Sequence, residues 1–119
     1  MKCVKLCGLD KKSAKAAEII LFIENNCKNN ISLADTANHL GYDYHYISRY
    51  FKKTFNMTFV DFLGSCRTQA AVSLLEETDK RITEIAFESG FQSVRSFNDC
   101  FKKYMGVNPT DYRKSLPIR

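Results

Sequence analysis

Two clusters of cationic side chains are the residues of this chain best suited to chemistry with an anionic ligand. They are Arg49, Lys52 and Lys53, and then Arg95, Lys102 and Lys103. Ammonium and guanidinium groups bind phosphate, and a guanidinium can also form paired hydrogen bonds to a planar acceptor. One charged helix face is usually only a solvated surface. Because the lysine pairs recur fifty residues apart, we interpret both clusters as parts of a functional surface.

Helical periodicity separates these charges from an apolar face in each segment. At about 100° per residue, apolar and charged residues fall on opposite sides of two predicted helices. The inward residues are Tyr44, Ile47 and Phe51, and then Phe97, Phe101 and Tyr104. The outward residues are His45, Arg49, Lys52 and Lys53, and then Arg95, Asp99, Lys102 and Lys103. Ser48 and Asn98 lie at equivalent margins of the two faces.

A short helix and a tight turn are predicted before the second charged helix. Ile82, Ile85 and Ala86 give the short helix one apolar face. Gly90 can end it where a positive φ is needed, and Ser93 can cap the next helix. A helix, a tight turn and a second helix in this order are typical of a helix-turn-helix unit.

The same plan is predicted upstream. Ser32 can act as an N-cap, with Asp35 completing a capping box. The short helix runs to Gly41, and Asp43 can cap the helix that carries the first charged face.

An internal repeat relates the two segments. Ala37-x3-Gly41-Tyr42-x8-Phe51-Lys52-Lys53 matches Ala86-x3-Gly90-Phe91-x9-Phe101-Lys102-Lys103, with one extra residue in the second turn. The match continues through three further pairs, Asn56 with Gly106, Asp61 with Asp111, and Phe62 with Tyr112. Asn tolerates the left-handed conformation nearly as Gly does, so we expect the turn at Asn56 to survive. Two copies indicate two similar subdomains.

A long helix is predicted between the copies, from Thr58 to about Glu77. Its expected apolar side is Phe59, Phe62, Leu63, Cys66, Ala70, Leu74 and Leu75. Roughly 20 residues span about 30 Å, close to the 34 Å turn of B-DNA that separates successive major grooves. A further helix is predicted from about Ser13 to Asn26, with its apolar residues at Ala16, Ile19, Ile20, Phe22 and Ile23.

The predicted fold is therefore all-α, with about seven helices. Its parts are a loose arm (1–12), a first helix-turn-helix subdomain (13–57), a connecting helix (58–78) and a second subdomain (79–116). With 119 residues and a formal charge of +5, the chain permits an anionic partner such as nucleic acid. It contains no apolar run long enough to span a membrane and no signal-peptide pattern, so we expect a cytoplasmic location.

The five cysteines are an odd number without a paired C-x2-C spacing, so a disulfide framework is not expected. Reduced thiols are the simplest interpretation. A thiol- or metal-responsive sensor acting through Cys3 and Cys7 is the alternative. Neither His39 nor His45 has a second plausible ligand nearby in sequence, so no metal site and no cofactor are predicted.

These motifs resemble the DNA-binding domain of the AraC family of bacterial transcription regulators. The similarity rests on Ile85-Ala86-x3-Gly90-Phe91, Phe101-Lys102-Lys103 and Gly106-x2-Pro109-x2-Tyr112-Arg113. It extends over nearly everything from Ser13 to Arg113. The chain lacks the effector-binding domain common in that family. It therefore resembles the small single-domain members, or a DNA-binding fragment of a larger effector-responsive regulator.

The resemblance implies two recognition helices, at about 44–54 and 94–104, that enter successive major grooves of double-stranded DNA. The implied base-reading residues are His45, Ser48, Arg49, Val94, Arg95, Asn98 and Asp99. We expect phosphate contacts from Ser32, Lys52, Lys53, Thr83, Lys102 and Lys103. Asp99 would repel phosphate, yet it could accept from cytosine or hold Arg95 one turn away. A monomer on an asymmetric promoter site, acting on RNA polymerase, is the expected mode.

Two other function classes fit these residues less well than DNA binding does. A protein-interaction module would use the cluster of Tyr42, Tyr44, Tyr46 and Tyr50, which we interpret instead as core and flank. An enzyme is not expected, because the chain has no Ser-His-acid order, no paired carboxylates in an evident cleft and no phosphate-cradling glycine loop.

Overall fold

The computed structural model describes residues 11–117, which form seven α-helices and no β-strand. The helices are α1 (Lys11–Asn26), α2 (Leu33–Leu40), α3 (Tyr44–Phe55), α4 (Phe59–Glu77), α5 (Ile82–Glu88), α6 (Val94–Met105) and α7 (Pro109–Lys114). The all-α prediction is confirmed. The chain divides into a first unit, Met1–Cys66, and a second unit, Arg67–Arg119, and the division falls inside α4.

The first unit is built around aromatic and branched side chains from α1, α3 and α4. Ile19, Ile23, Ile47, Phe51 and Phe62 are almost completely buried there. The Phe51 ring meets the Phe62 ring edge-on at a centroid distance of 5.6 Å. Full burial of each such side chain contributes about 1.5–3 kcal/mol. These contacts therefore fix the inward face of α3.

The second unit has a smaller core formed by the second half of α4 with α5 and α6. Ile85, Ala86, Phe97 and Phe101 are fully buried in it. The ring of Phe101 packs against those of Phe97 and Tyr112, at centroid distances of 5.6 and 5.7 Å. Two buried residues four positions apart, Phe97 and Phe101, therefore fix α6. Ile47 and Phe51 fix α3 in the same way.

The end of the second unit is tied to the loop between α4 and α5. The guanidinium of Arg113 donates to the carbonyl oxygens of Lys80, at 2.6 Å, and Thr78, at 3.3 Å. The hydroxyl of Tyr112 donates to the carboxylate of Glu76. That hydrogen bond, together with burial, raises the pKa of Tyr112. These contacts hold α7 against the end of α4 and the loop that follows it.

The two helix-turn-helix turns repeat each other in geometry as well as in sequence. In the first, the Tyr42 N–H donates to the carbonyl oxygen of Ala37 at 2.8 Å. In the second, the Phe91 N–H donates to that of Ala86 at 3.1 Å. The intervening glycines have positive φ, 79° at Gly41 and 102° at Gly90. Both turns agree with the prediction that a glycine with positive φ ends the short helix.

The predicted caps are also present. The Asp35 N–H donates to the Ser32 hydroxyl, and the Ser32 N–H donates to the Asp35 carboxylate, which completes the capping box. Asp43 and Ser93 cap α3 and α6 in the same way, accepting from the backbone N–H three residues on. The helix starts are therefore encoded locally.

Two details of the prediction are wrong. α1 begins at Lys11 rather than near Ser13, and residues 1–10 of the expected arm lie outside the described residues. Tyr44 does not face inward, since its side chain is 47% exposed. It is the first residue of α3, and helical side chains tilt toward the N-terminus. Its side chain instead lines an open cleft at the surface, with Leu33 and Val60.

The apolar side of α4 also differs from the prediction in its second half. Ala70 is only half-buried, whereas Thr68, Ala71 and Val72 are buried; Leu74 is half-buried but packs against the second core as predicted. The buried positions run 59, 62, 63 and 66, and then restart at 68, 71, 72 and 75. Because residues two apart do not share a helix face, one helical period cannot pass through both sets. The prediction assumed a single period.

Replacing Asn56 with valine should lower the free energy of unfolding by about 1–2 kcal/mol. Among the described residues, Asn56 is the only non-glycine with a positive φ, 55°, and a β-branched side chain is strained there. Asn56→Gly is the matched control and should leave stability nearly unchanged, as Gly106 takes a similar conformation at the equivalent position. Urea denaturation measures both, and equal stability of Asn56→Val and wild type would contradict the argument.

Candidate nucleic-acid interface

The outward face of α3 is a continuous cationic surface. His45, Arg49, Lys52 and Lys53 are exposed, and Ser48 is half-buried at its margin. Ile47 and Phe51, on the opposite side, are fully buried. The helix contains no acidic residue, so its formal charge is +3. Anchoring on one side leaves the charged side chains on a rigid support.

The outward face of α6 also carries one arginine and a lysine pair, but it includes a carboxylate. Its exposed residues are Arg95, Asn98, Asp99, Lys102 and Lys103, with Val94 half-buried. Three cationic side chains and one carboxylate give a formal charge of +2. Asp99 and Arg95 form no ion pair within the described part of the chain. The carboxylate is therefore presented to solvent, where it can accept from a base or repel a phosphate.

The lysine pairs also have a local structural role. Lys52 and Lys53 lie in the last turn of α3, and Lys102 and Lys103 in the last turn of α6. Cations near a helix C-terminus interact favourably with the helix dipole, by about 0.3–1 kcal/mol each. The Lys103 ammonium also lies over the Tyr104 ring, 5.3 Å from its centroid. A lysine-to-alanine substitution can therefore affect helix stability as well as binding.

The helix N-termini expected to bind phosphate already have a carboxylate nearby. Asp35 accepts from the Ser32 N–H at the start of α2, and Glu84 accepts from the Arg81 N–H, two residues before Thr83, at the start of α5. First-turn N–H groups between the capped positions lack an intrahelical acceptor in any α-helix. A phosphate at either helix start would be attracted by these N–H groups but repelled by the capping carboxylate. These two positions are the electrostatically weakest of the predicted contacts.

One cluster beside α3 was not predicted from the sequence. The Lys15 ammonium lies 5.6, 5.0 and 5.2 Å from the ring centroids of Tyr42, Tyr46 and Tyr50. We call these four residues the tyrosine cage. The Lys15 ammonium donates to the Tyr46 hydroxyl, and this hydrogen bond raises the pKa of Lys15. The sequence signal was the four-residue spacing of the tyrosines, which gives no indication of a lysine from α1.

The positions of the cysteines bear on the alternative of a thiol- or metal-responsive sensor. The described residues contain no group of three or more His, Cys, Asp or Glu side chains that could hold a metal ion. Cys27 and Cys66 are buried, Cys100 is half-buried, and none of the three forms a disulfide. Cys3 and Cys7 lie outside the described residues. No helix in residues 11–117 is long and apolar enough to cross a membrane.

Comparison with known proteins identifies the family. Residues 36–115 match the helix-turn-helix domain family. The HTH-type transcriptional activator AarP of Providencia stuartii is 35% identical over 104 residues, which cover 87% of this chain and 77% of AarP. The Transposon Tn10 TetD protein of Escherichia coli is 36% identical over 98 residues, which cover 82% of this chain and 71% of TetD.

The fold agrees with this relationship. The C-terminal domain of AraT, a response regulator from Geobacillus stearothermophilus, matches with a TM-score of 0.84 at 29% identity. The match covers 92% of each chain. Together with the repeated turns and charged helices, these similarities show that the chain belongs to the AraC family of helix-turn-helix DNA-binding transcription regulators.

Proposed function

We propose that this DNA-binding transcription regulator inserts α3 and α6 into successive major grooves of one duplex. The observation that supports this most is the repeated exposed face: Arg49 with a lysine pair on α3, and Arg95 with a lysine pair on α6. Each face lies opposite two fully buried anchors. A major groove accepts one α-helix, and its base edges distinguish all four base pairs.

The exposed residues divide by chemistry into readers and positioners. Arginine can form two hydrogen bonds to guanine, and asparagine can form two to adenine. We assign base reading to His45, Ser48, Arg49, Arg95, Asn98 and Asp99. Contacts with backbone phosphates fix the register without carrying sequence information. We assign these contacts to Lys52, Lys53, Lys102, Lys103 and the helix starts at Ser32 and Thr83.

The mode of action that we propose is a single chain on an asymmetric promoter site that recruits or obstructs RNA polymerase. Ordinary helix-turn-helix proteins dimerise, and their symmetry is copied into a palindromic site. Here both proposed recognition helices belong to one chain, and their outer faces differ at Ser48 and Asn98 and at Arg49 and Asp99. AarP is described as a transcriptional activator, which favours recruitment.

A salt titration of DNA binding tests this function. About five to eight neutralised phosphates would give a slope of log K on log salt of about −5 to −7. The measurement uses a site chosen by selection from random duplex DNA, with a shuffled duplex for comparison. A slope near zero, or equal affinity for both duplexes, would contradict sequence-specific DNA binding.

Arg49→Ala and Lys102→Ala should have different effects in the same titration. Arg49→Ala should cost about 1–3 kcal/mol and relax the preference at one base pair, because it removes a base contact. Lys102→Ala should weaken all sequences alike and reduce the magnitude of the slope by about one. Equal, sequence-independent losses in both variants would show that Arg49 contacts only the backbone.

A further inference from the structure

The tyrosine cage holds an ammonium beside α3 without pairing it to an anion. Aromatic faces attract a cation through the ring quadrupole, and they leave its net charge uncompensated. Lys15 forms no ion pair with any side chain in the described residues. The nearby carboxylate of Glu18 instead accepts from the Tyr42 hydroxyl at 3.0 Å. The cage therefore supplies a positioned positive charge that can attract an anion.

Tyr46 adds an oriented hydrogen-bond donor to this charge. An ammonium has three N–H donors and no acceptor, so Lys15 donates to Tyr46 and two of its donors remain. The hydroxyl hydrogen of Tyr46 has no acceptor within the part of the chain that the structure describes. Accepting from an ammonium polarises a hydroxyl and strengthens its own donation. The Tyr46 side chain is 39% exposed, so an acceptor from outside can reach it.

The cage borders the charged face of α3. At about 100° per residue, Tyr46 lies about 20° around the helix from Lys53 and about 60° from Arg49. A helix that lies in a major groove has phosphates on both of its flanks. A donor on this flank would meet the backbone of the same groove in which Arg49 meets bases.

We propose that Lys15 and Tyr46 together bind one phosphate of the DNA backbone on the flank of α3. This site rests on the proposed function, since it requires α3 to lie in a major groove. The Lys15 ammonium supplies charge and the Tyr46 hydroxyl supplies a hydrogen bond to the same phosphate. The rings of Tyr42 and Tyr50 hold the ammonium in place. Lys15 thus joins α1 to the DNA-binding surface.

Substitutions that separate charge from hydrogen bonding test the site. Lys15→Met should weaken binding about 3- to 10-fold near 0.1 M salt and reduce the magnitude of the salt slope by about one. Lys15→Arg should keep the wild-type slope, because a guanidinium retains the charge and stacks on aromatic rings. Tyr46→Phe should weaken binding a few-fold without changing the slope, because a neutral hydroxyl releases no counterion. Lys114→Met, an exposed lysine on α7, is the matched control and should change neither quantity.

A scan of neutral backbone linkages locates the phosphate. Single methylphosphonates are placed in turn along the selected site. One linkage should weaken the wild type most, weaken Lys15→Met less because Tyr46 remains, and have no effect on the double variant with Tyr46→Phe. An unchanged slope for Lys15→Met, or a loss confined to the selected sequence, would overturn the phosphate site and assign Lys15 only to positioning α3. Should Lys15→Met fail to fold, Lys15→Arg and Tyr46→Phe with the same scan decide. Failure of the wild type to bind any duplex would instead overturn the proposed function itself.

Discussion

Inserting half a helical turn of DNA, about five base pairs, between the two elements of the selected site should lower affinity at least about tenfold. α4 is a continuous helix whose residues belong to both units. Half a turn places the second element on the opposite face of the duplex. Either the DNA deforms, at a cost of order 1–6 kcal/mol, or one unit leaves its groove and the benefit of linked binding is lost.

Fluorescence anisotropy with labelled duplexes measures this loss, and a duplex carrying only one element provides the control. Affinity for the separated elements should approach that of the single-element duplex. Stoichiometry is measured on the unmodified site, where we expect one chain per duplex. A selected site that is palindromic and bound by two chains would contradict the monomeric mode, while leaving the fold and DNA binding intact.

Phe101→Ala should lower the stability of the second unit by about 3–5 kcal/mol. The Phe101 ring is fully buried and packs edge-on against the rings of Phe97 and Tyr112, so its removal leaves a cavity in the second core. A unit of this size has little stability in reserve. Loss of the second unit should also remove the DNA contacts of α6 and reduce the affinity to that of the first unit alone.

Phe87→Ala is the matched control, since Phe87 lies on α5 in the same unit and is 56% exposed. It should change stability by no more than about 0.5 kcal/mol. Hydrogen exchange of the amides in α5 and α6, compared with those in α2 and α3, reports on each unit. Equal protection of α6 in Phe101→Ala and wild type would show that the core tolerates the cavity.

Helix ends and turns were predictable because their signals are local. Ser32 with Asp35, and the glycines at 41 and 90, need only their sequence neighbours to specify a cap or a left-handed residue. The helical period of the sequence predicted the buried residues that anchor α3 and α6. It thereby also predicted the exposed faces that form the candidate interface. Whether the individual residues on those faces read bases or bind phosphates stays a prediction for the substitutions above.

The features that were missed depend on residues distant in sequence. Thr68 and Val72 are buried because the second half of α4 packs with α5 and α6, and the period of the first half does not indicate this. Tyr44 matches the inward period of α3, but it is the first residue of that helix and stays half exposed. Lys15 is an ordinary surface lysine in sequence, and only the packing of α1 beside α3 brings it to three tyrosines.

The contacts of Arg113 impose an order on folding during synthesis. The first unit ends at Cys66, whereas the second unit needs Arg113 to reach the carbonyl oxygens of Thr78 and Lys80. At about 5–20 residues per second, the ribosome takes about 2–9 s to make the intervening residues. The second half of α4, with Ala71, Val72 and Leu75, is therefore synthesised seconds before the last contact that closes the unit around it. Until α5 and α6 have been synthesised, Ala71, Val72 and Leu75 lack the side chains that bury them in the folded second unit.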